Sequence, residues 1–158
     1  VTGDPRFTSV KKGTKNMVYL WARKEFKNIS KCYDCGISVV TPRHVSKNIL
    51  IMDFEGNDGK PENTLLESKV DKNDYLQSIA LISDLFKKAK LVHGDFSEYN
   101  IFKTKNGLKL FDLGSAVDIT HPNTMNFLKR DINNITNFFV KRGLTVENPA
   151  DILERIIK

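Results

Sequence analysis

Between Leu91 and Gly114 the chain reads Leu91-Val92-His93-Gly94-Asp95-Phe96-Ser97-Glu98-Tyr99-Asn100, then Ile101-Phe102-Lys103-Thr104, then Leu108-Lys109-Leu110-Phe111-Asp112-Leu113-Gly114. No other stretch constrains the fold as tightly. Two short apolar-alternating runs flank Asn106-Gly107, the strongest short hairpin-turn signal. A polar loop stands at each open end of that predicted hairpin. The first loop carries Asp95 and, five residues on, Asn100; the second carries Asp112, twelve residues after Asn100, with Gly114 behind it. A lone H-x-D or D-x-G is a common turn, but both in this order around a hairpin are not expected by chance.

The residue types point to phosphoryl transfer. That chemistry needs one carboxylate to orient the nucleophile and accept its proton, and oxygen ligands to hold Mg²⁺ against nucleotide phosphates. Asp95 is the candidate catalytic carboxylate, and Asn100 and Asp112 are the candidate metal ligands. A hard cation takes such oxygens in preference to sulfur or imidazole. His93 is expected to order the loop by a hydrogen bond and not to transfer protons. Gly114 lets the backbone turn tightly beside the ion.

At these residues the chain resembles the RIO family of atypical protein kinases, whose signature is similar to His93-Gly94-Asp95-Phe96-Ser97-Glu98-Tyr99-Asn100. Other segments agree, and together they cover nearly the whole chain. Gly3-Asp4-Pro5-Arg6-Phe7 resembles the loop after the lysine strand in the first RIO branch, and residues 20–29 resemble the αC helix. Residues 49–56, with Pro61, resemble the hinge. His121-Pro122-Asn123 and residues 127–135 resemble the segment after the metal loop.

The resemblance implies an α+β, protein-kinase-like fold: mostly the helical C-lobe (56–158), with residues 1–55 a partial N-lobe of αC helix, two strands and hinge. It also implies nucleotide contacts. Glu25 is the expected partner of the nucleotide lysine, its plain alternative being an exposed carboxylate beside Lys24 and Lys27. Met52 would be the gatekeeper, the backbone of Asp53 and Glu55 would meet the adenine edge, and Phe102 and Phe111 would floor the pocket. The implied cofactors are ATP and Mg²⁺ (or Mn²⁺). The implied setting is cytoplasmic, as a monomer acting on a pre-ribosomal small-subunit particle of protein and rRNA. Some family members behave as ATPases that form a phospho-aspartate.

The chain also departs from ordinary kinases. No glycine-rich phosphate loop and no strand lysine precede Glu25. Both are expected to lie before Val1, and without them this stretch alone should be inactive and bind ATP poorly. Ser97 stands where ordinary kinases place a lysine, and no A-P-E segment follows Asp112. Ordinary kinases dock peptides on that segment; RIO proteins also lack it. Two other functions stay open. One is a small-molecule phosphotransferase of the aminoglycoside or choline kinase type, which Ser97-Glu98-Tyr99 and the αC segment oppose. The other is a non-catalytic scaffold for pre-ribosomal RNA.

Composition sets outer bounds. At 158 residues, 40% of them hydrophobic, the chain can bury one core but not a complete two-lobed kinase. Its net charge of +6 permits an acidic partner without requiring one. Lys11, Lys12, Lys15, Lys87, Lys88 and Lys90 read as solvated faces. Cys32 and Cys35 form a single C-x-x-C, which suits free thiols in a reducing compartment better than zinc. No run is long and apolar enough for a membrane span, no signal peptide is visible, and the start at Val1 suggests a missing or processed terminus.

Periodicity predicts a helix from residue 14 to about 33, strands over 37–40 and 48–54 with Pro42 between them, and loop over 56–71. A second helix is expected over 73–90, facing inward with Leu76, Ile79, Ile82 or Ser83, and Phe86. A third, over 123–142, carries Leu128, Ile132, Ile135, Phe138 and Phe139 as core. Asp131 on it is expected to pair with a neighbour or cap a loop. Asn148-Pro149 starts a last helix.

Overall fold

The computed structural model describes residues 14–158. The segments Gly3-Asp4-Pro5-Arg6-Phe7 and Lys11-Lys12 lie outside the described residues. The elements run α1 (Thr14–Asp34), β1 (Pro42–Ser46), β2 (Ile49–Met52), β3 (Gly56–Asn57), β4 (Lys60–Pro61), α2 (Lys72–Lys87), β5 (Leu91–Val92), β6 (Ile101–Thr104), β7 (Gly107–Leu110), β8 (Val117–Asp118), α3 (Thr124–Lys141) and α4 (Pro149–Ile157). β1 pairs with β2, β3 with β4, β5 with β8 and β6 with β7, all antiparallel.

The expected hairpin is present, with a corrected turn. Lys105 and Asn106 form the turn, and Gly107 already pairs with Thr104 in the ladder. Thr104 fixes this register: its Oγ1 donates to the Gly107 carbonyl (2.8 Å) and accepts from the Asn106 N–H (3.1 Å). Gly107 adopts φ +113°, and a Cβ there would lie 2.7 Å from Gln77 Oε1. The register turns Leu108 and Leu110 into the core together; a slip of one residue would turn both out. Phe111 therefore lies beyond the ladder.

Both edges of the hairpin are covered. Residues 38–40 run parallel to β7, with Leu110 N–H donating to Ser38 O and Val40 N–H to Leu110 O, both at 3.0 Å. Residues 63–65 run antiparallel to β6 through Leu65 N–H to Ile101 O and Lys103 N–H to Asn63 O, both at 2.9 Å. The predicted strand over 37–40 is thus an extended segment docked on β7. The strand that pairs with β2 begins at Pro42, which was expected to separate the strands. Proline is tolerated there because it opens the strand beside a bulge between Pro42 and His44.

α2 is capped by a reciprocal box: Asp71 accepts from the Asp74 N–H, and Asp74 from the Asp71 N–H. It ends at Lys87, before the left-handed Lys90, three residues short of expectation. Its inward face is Tyr75, Ile79, Ile82 and Leu85, with Leu76 half exposed. Tyr75 takes the place expected of Leu76 because its ring meets Phe139 edge-on at 5.6 Å and its hydroxyl accepts from the Glu147 N–H. The α3 stripe is buried as expected, and Asn148 caps α4 through the Ala150 N–H. On α1, Ala22 and Ile29 are buried, whereas Val18 and Trp21 stay exposed.

Cys32 and Cys35 are free thiols. Burial first, and then the neighbouring Cys35, pushes the Cys32 thiol up to about 12. Iodoacetamide at pH 8 is expected to label Cys35 and spare Cys32 until the chain is unfolded. Peptide mass spectrometry showing native Cys32 alkylated as fast as Cys35 would contradict this.

Candidate active site

β5 and β8 bring the two polar loops side by side, since Leu91 pairs with Asp118 and Val92 with Val117. The first loop leaves β5 and enters β6 at Ile101; the second leaves β7 and returns to β8. Asn100 and Asp112 therefore flank the open mouth of the hairpin, where Phe111 N–H donates to Asn100 O at 3.1 Å.

Backbone hydrogen bonds hold the first loop. Asp131, on α3 and 1% exposed, accepts from the N–H groups of Gly94 (2.8 Å) and Phe96 (3.0 Å). It caps the loop, as expected, and is not turned toward a ligand. Burial is the largest influence on its carboxyl and pushes it above the ordinary aspartate range, opposed by His93 and these two N–H groups. Arg130 donates to the Gly94 carbonyl. Gly94 takes φ +78°, and a Cβ there would sit 3.3 Å from Ser115 O, so a side chain is disfavoured by both conformation and space.

His93 joins the two loops. Its Nε2 donates to the Asp112 carbonyl at 2.5 Å, and its Nδ1 accepts from the Asp95 N–H at 3.2 Å. This ordering role is the one expected of it. Asp95 is exposed at the surface. Asn100 Nδ2 donates to the Asp95 carbonyl at 2.8 Å, so Oδ1 is the atom it would offer a cation. Asp112 Oδ1 accepts from the Gly114 N–H at 3.0 Å, and Oδ2 is left for a ligand.

α1 clamps the second loop. Lys24 Nζ donates to Gly114 O at 3.0 Å. The buried Asn28 amide donates to Leu113 O (3.0 Å) and Ala116 O (3.2 Å). Sequence reading missed Asn28. The available signal was an amide at i+3 from Glu25 and i−4 from Cys32, on the inward face of a helix. Glu25 sits at this same junction: burial and then the Asp112 charge push its carboxyl above the ordinary glutamate range. It is half-buried beside Asp112, so the exposed alternative does not describe it.

The remaining candidates gather on the other side of the hairpin. Phe102 and Phe111 stack at 4.1 Å between centroids, both half-buried. Glu55 pairs with Lys109 of β7 at 2.7 Å, and Asp53 takes a two-pronged bond from Arg43, 2.6 Å on each prong. Of the four expected backbone groups, two are already used: Asp53 N–H donates to Thr41 O, and Glu55 O accepts from Glu62 N–H, both at 2.9 Å. The Asp53 carbonyl and the Glu55 N–H are the pair left for a ligand's polar edge. Met52, half-buried, ends β2 just before them.

The donor set suits a hard cation. Asn100 Oδ1 and Asp112 Oδ2 would offer it oxygen donors, and Mg²⁺ at phosphate sites takes one or two carboxylates, with substrate and water completing the shell. Among the described residues no group of three or more His, Cys, Asp or Glu side chains could hold a metal ion, so the nucleotide phosphates would have to contribute ligands.

The family model described as the RIO domain matches residues 1–152. The serine/threonine-protein kinase rio1 of Dictyostelium discoideum is 38% identical over 162 aligned positions, covering 99% of this chain and 28% of that protein. The RIO-type serine/threonine-protein kinase Rio1 of Thermoplasma acidophilum is 33% identical, covering 100% of this chain and 83% of that protein. Among solved structures, the Rio2 kinase of Chaetomium thermophilum in its ADP/Mg²⁺-phosphoaspartate complex matches with a TM-score of 0.72 at 25% identity. That match covers 91% of this chain and 47% of the Rio2 chain. The chain thus spans about a quarter of the Dictyostelium relative and about half of the solved one. The fold is α+β and protein-kinase-like.

Proposed function

The chain belongs to the RIO family of serine/threonine-protein kinases, and on that footing we propose that it carries the metal-binding and phosphoryl-transfer half of an ATP-dependent enzyme. The observation that carries this reading is the pair of loops at the hairpin mouth. Asp95, Asn100 and Asp112 stand on backbone that Asp131, His93 and α1 hold from three directions.

In this reading the Asp53 carbonyl and Glu55 N–H meet the adenine edge, and Met52, Phe102 and Phe111 line its pocket. Bound Mg²⁺ would neutralise charge on the phosphates. Asn100 Oδ1 and Asp112 Oδ2 hold that ion. Glu25, beside Asp112, is placed to hold a lysine on the phosphates. Asp95 orients the acceptor hydroxyl and takes its proton as the phosphorus–oxygen bond forms. The division into two lobes near Gly56 belongs to the same proposal. The partner, a pre-ribosomal small-subunit particle, and the cytoplasmic setting rest on the family resemblance alone.

In the intact gene product, Asp112→Ala is expected to abolish the Mg²⁺-dependent part of nucleotide affinity while leaving the weak Mg²⁺-free affinity in place. Calorimetric titration with ADP, with and without Mg²⁺, checks this. Unchanged Mg²⁺ dependence in the variant would sink the metal assignment.

A second reading is favoured by the phosphoaspartate in the Chaetomium complex: hydrolysis of ATP through an aspartyl phosphate. A carboxylate attacks the γ-phosphorus, ADP leaves, and water then cleaves the acyl phosphate. Label from γ-³²P-ATP that hydroxylamine releases supports this route; label that resists hydroxylamine supports transfer to a hydroxyl.

A further inference from the structure

A pocket of about 340 Å³ opens between the first loop and α3, and Asp95 is part of its lining. Both sides are fixed through backbone. Asp131 of α3 holds the N–H groups of Gly94 and Phe96. Leu66 N–H donates to Glu98 O at 3.4 Å, and Arg142, just past α3, donates to the Leu66 and Ser68 carbonyls.

α3 contributes Asn134, Asn137 and Lys141, all exposed. They stand at i, i+3 and i+7 and so share one face of the helix. Asparagine is a poor helix former. Among the described residues neither the Asn134 nor the Asn137 side chain makes a hydrogen bond, so helix stability does not account for the pair. A side-chain amide offers the same donor and acceptor groups that a peptide unit presents. On a helix, Cβ atoms three residues apart are separated by about 5–6 Å. Alternate residues of an extended chain repeat at about 6.6 Å. The two asparagines can therefore meet an extended backbone at positions two residues apart.

The first loop contributes Asp95, Glu98 and Tyr99. Among the described residues neither carboxylate forms an ion pair. Lys141 is the one cation in the lining, and it stands in the last turn of α3, where the helix carbonyls already attract it. Arg142 is engaged with Leu66 and Ser68. Two carboxylates against one ammonium favour a cationic occupant and oppose a polyanion such as RNA.

We propose that this pocket holds the acceptor as an extended peptide, with a serine or threonine hydroxyl at Asp95 and arginine or lysine close to it in sequence. Asn134 and Asn137 grip its backbone, and Glu98 selects its charge. The hydroxyl oxygen bonds the γ-phosphorus as the bond to ADP breaks, and its proton passes to Asp95. The inference rests on Asp95 being the catalytic carboxylate proposed above. It puts acceptor docking on α3 in a chain that has no A-P-E segment.

The test uses the intact gene product and two short alanine peptides with one central serine, flanked by arginine in one and by glutamate in the other. Fluorescence anisotropy in Mg²⁺-ADP gives binding, and transfer from γ-³²P-ATP gives kcat and KM. The arginine peptide should bind about tenfold more tightly, and Glu98→Gln should narrow that gap. Asn134→Ala/Asn137→Ala places better helix formers at exposed positions, so it is expected to fold. It should raise KM for the arginine peptide roughly tenfold with a smaller change in kcat. Asn133→Ala, on the neighbouring face, should leave that KM unchanged. Peptide affinity that ignores the double variant, or that is equal for the two peptides, would overturn the site. So would a single-stranded RNA that binds more tightly than the arginine peptide and loses that affinity in the double variant. Peptide binding as expected, without transfer to serine, would support the site and count against the phosphoryl-transfer reading. ATP turnover without peptide binding would keep that reading and overturn the site.

Discussion

Replacing Asp95 with alanine is expected to slow phosphoryl transfer by roughly 10²–10⁴-fold while leaving ATP affinity nearly unchanged. In the proposed function the two effects separate because Asp95 would act on the nucleophile, whereas affinity would come from the adenine edge at Asp53 and Glu55, the stacked Phe102 and Phe111, and the proposed metal ligands. Among the described residues the exposed Asp95 carboxylate makes no hydrogen bond, and the residue is held through its backbone, so truncation leaves the loop standing. Single-turnover transfer from γ-³²P-ATP by the intact gene product, beside a nucleotide titration, gives both numbers. If water is the acceptor, ATP hydrolysis should fall in parallel with self-labelling. Full activity in the variant would overturn the kinase reading and favour an RNA scaffold, whose affinity should fall steeply with salt whatever stands at residue 95.

Asp131→Ala is expected to act on the fold itself. It leaves the buried N–H groups of Gly94 and Phe96 without acceptors. Each such orphan costs about 1–3 kcal/mol, so a loss of about 2–6 kcal/mol is expected. Asp131→Asn keeps one acceptor oxygen and should lose less. Urea unfolding of the three proteins checks the order. A dependence on pH follows from the raised carboxyl of Asp131. The folded state binds this proton more tightly than the unfolded chain does, so its contribution to stability is complete below the ordinary aspartate range. It is lost as pH rises through the raised value. The advantage of wild type over Asp131→Asn should therefore shrink as pH climbs from about 4. A stable Asp131→Ala protein with an unaltered unfolding midpoint would show that the first loop is held by something else.

The candidate residues of the site were legible because their signals are local. Asp95 and Asn100 lie in one turn-rich loop, Asp112 ends an apolar run, and the hairpin between them announces itself through Asn106-Gly107. The α3 stripe was equally plain, since a long amphipathic helix repeats its signal over several turns. Non-local decisions were not legible. Whether Gly107 belongs to turn or strand depends on Gln77 and on which face of β7 the core lies. Whether Pro42 breaks or opens a strand depends on β2 as its partner. The clamp from Asn28 joins residues 85 and 88 positions apart, and no window along the chain contains both ends. Tyr75 displaced Leu76 as the inward residue because α3 and Glu147 supply its partners.

The hairpin has one more consequence. Its ladder is only four pairs long, and extended segments close both edges, so the two strands cannot splay. Their spacing is that of any antiparallel pair, about 4.7–4.9 Å. Oxygen donors mounted just past the end of so stiff a ladder are set to a gauge. They can serve an ion that accepts two protein ligands at about 2.0–2.1 Å and completes its shell elsewhere, as Mg²⁺ does. As the proposed metal ligands they would be poorly placed to wrap Ca²⁺, which wants six to eight oxygens at roughly 2.3–2.6 Å from a yielding loop. Discrimination between the two ions would then reside in the stiffness of a β-ladder, and loosening the Lys105–Asn106 turn would blunt it without touching a ligand.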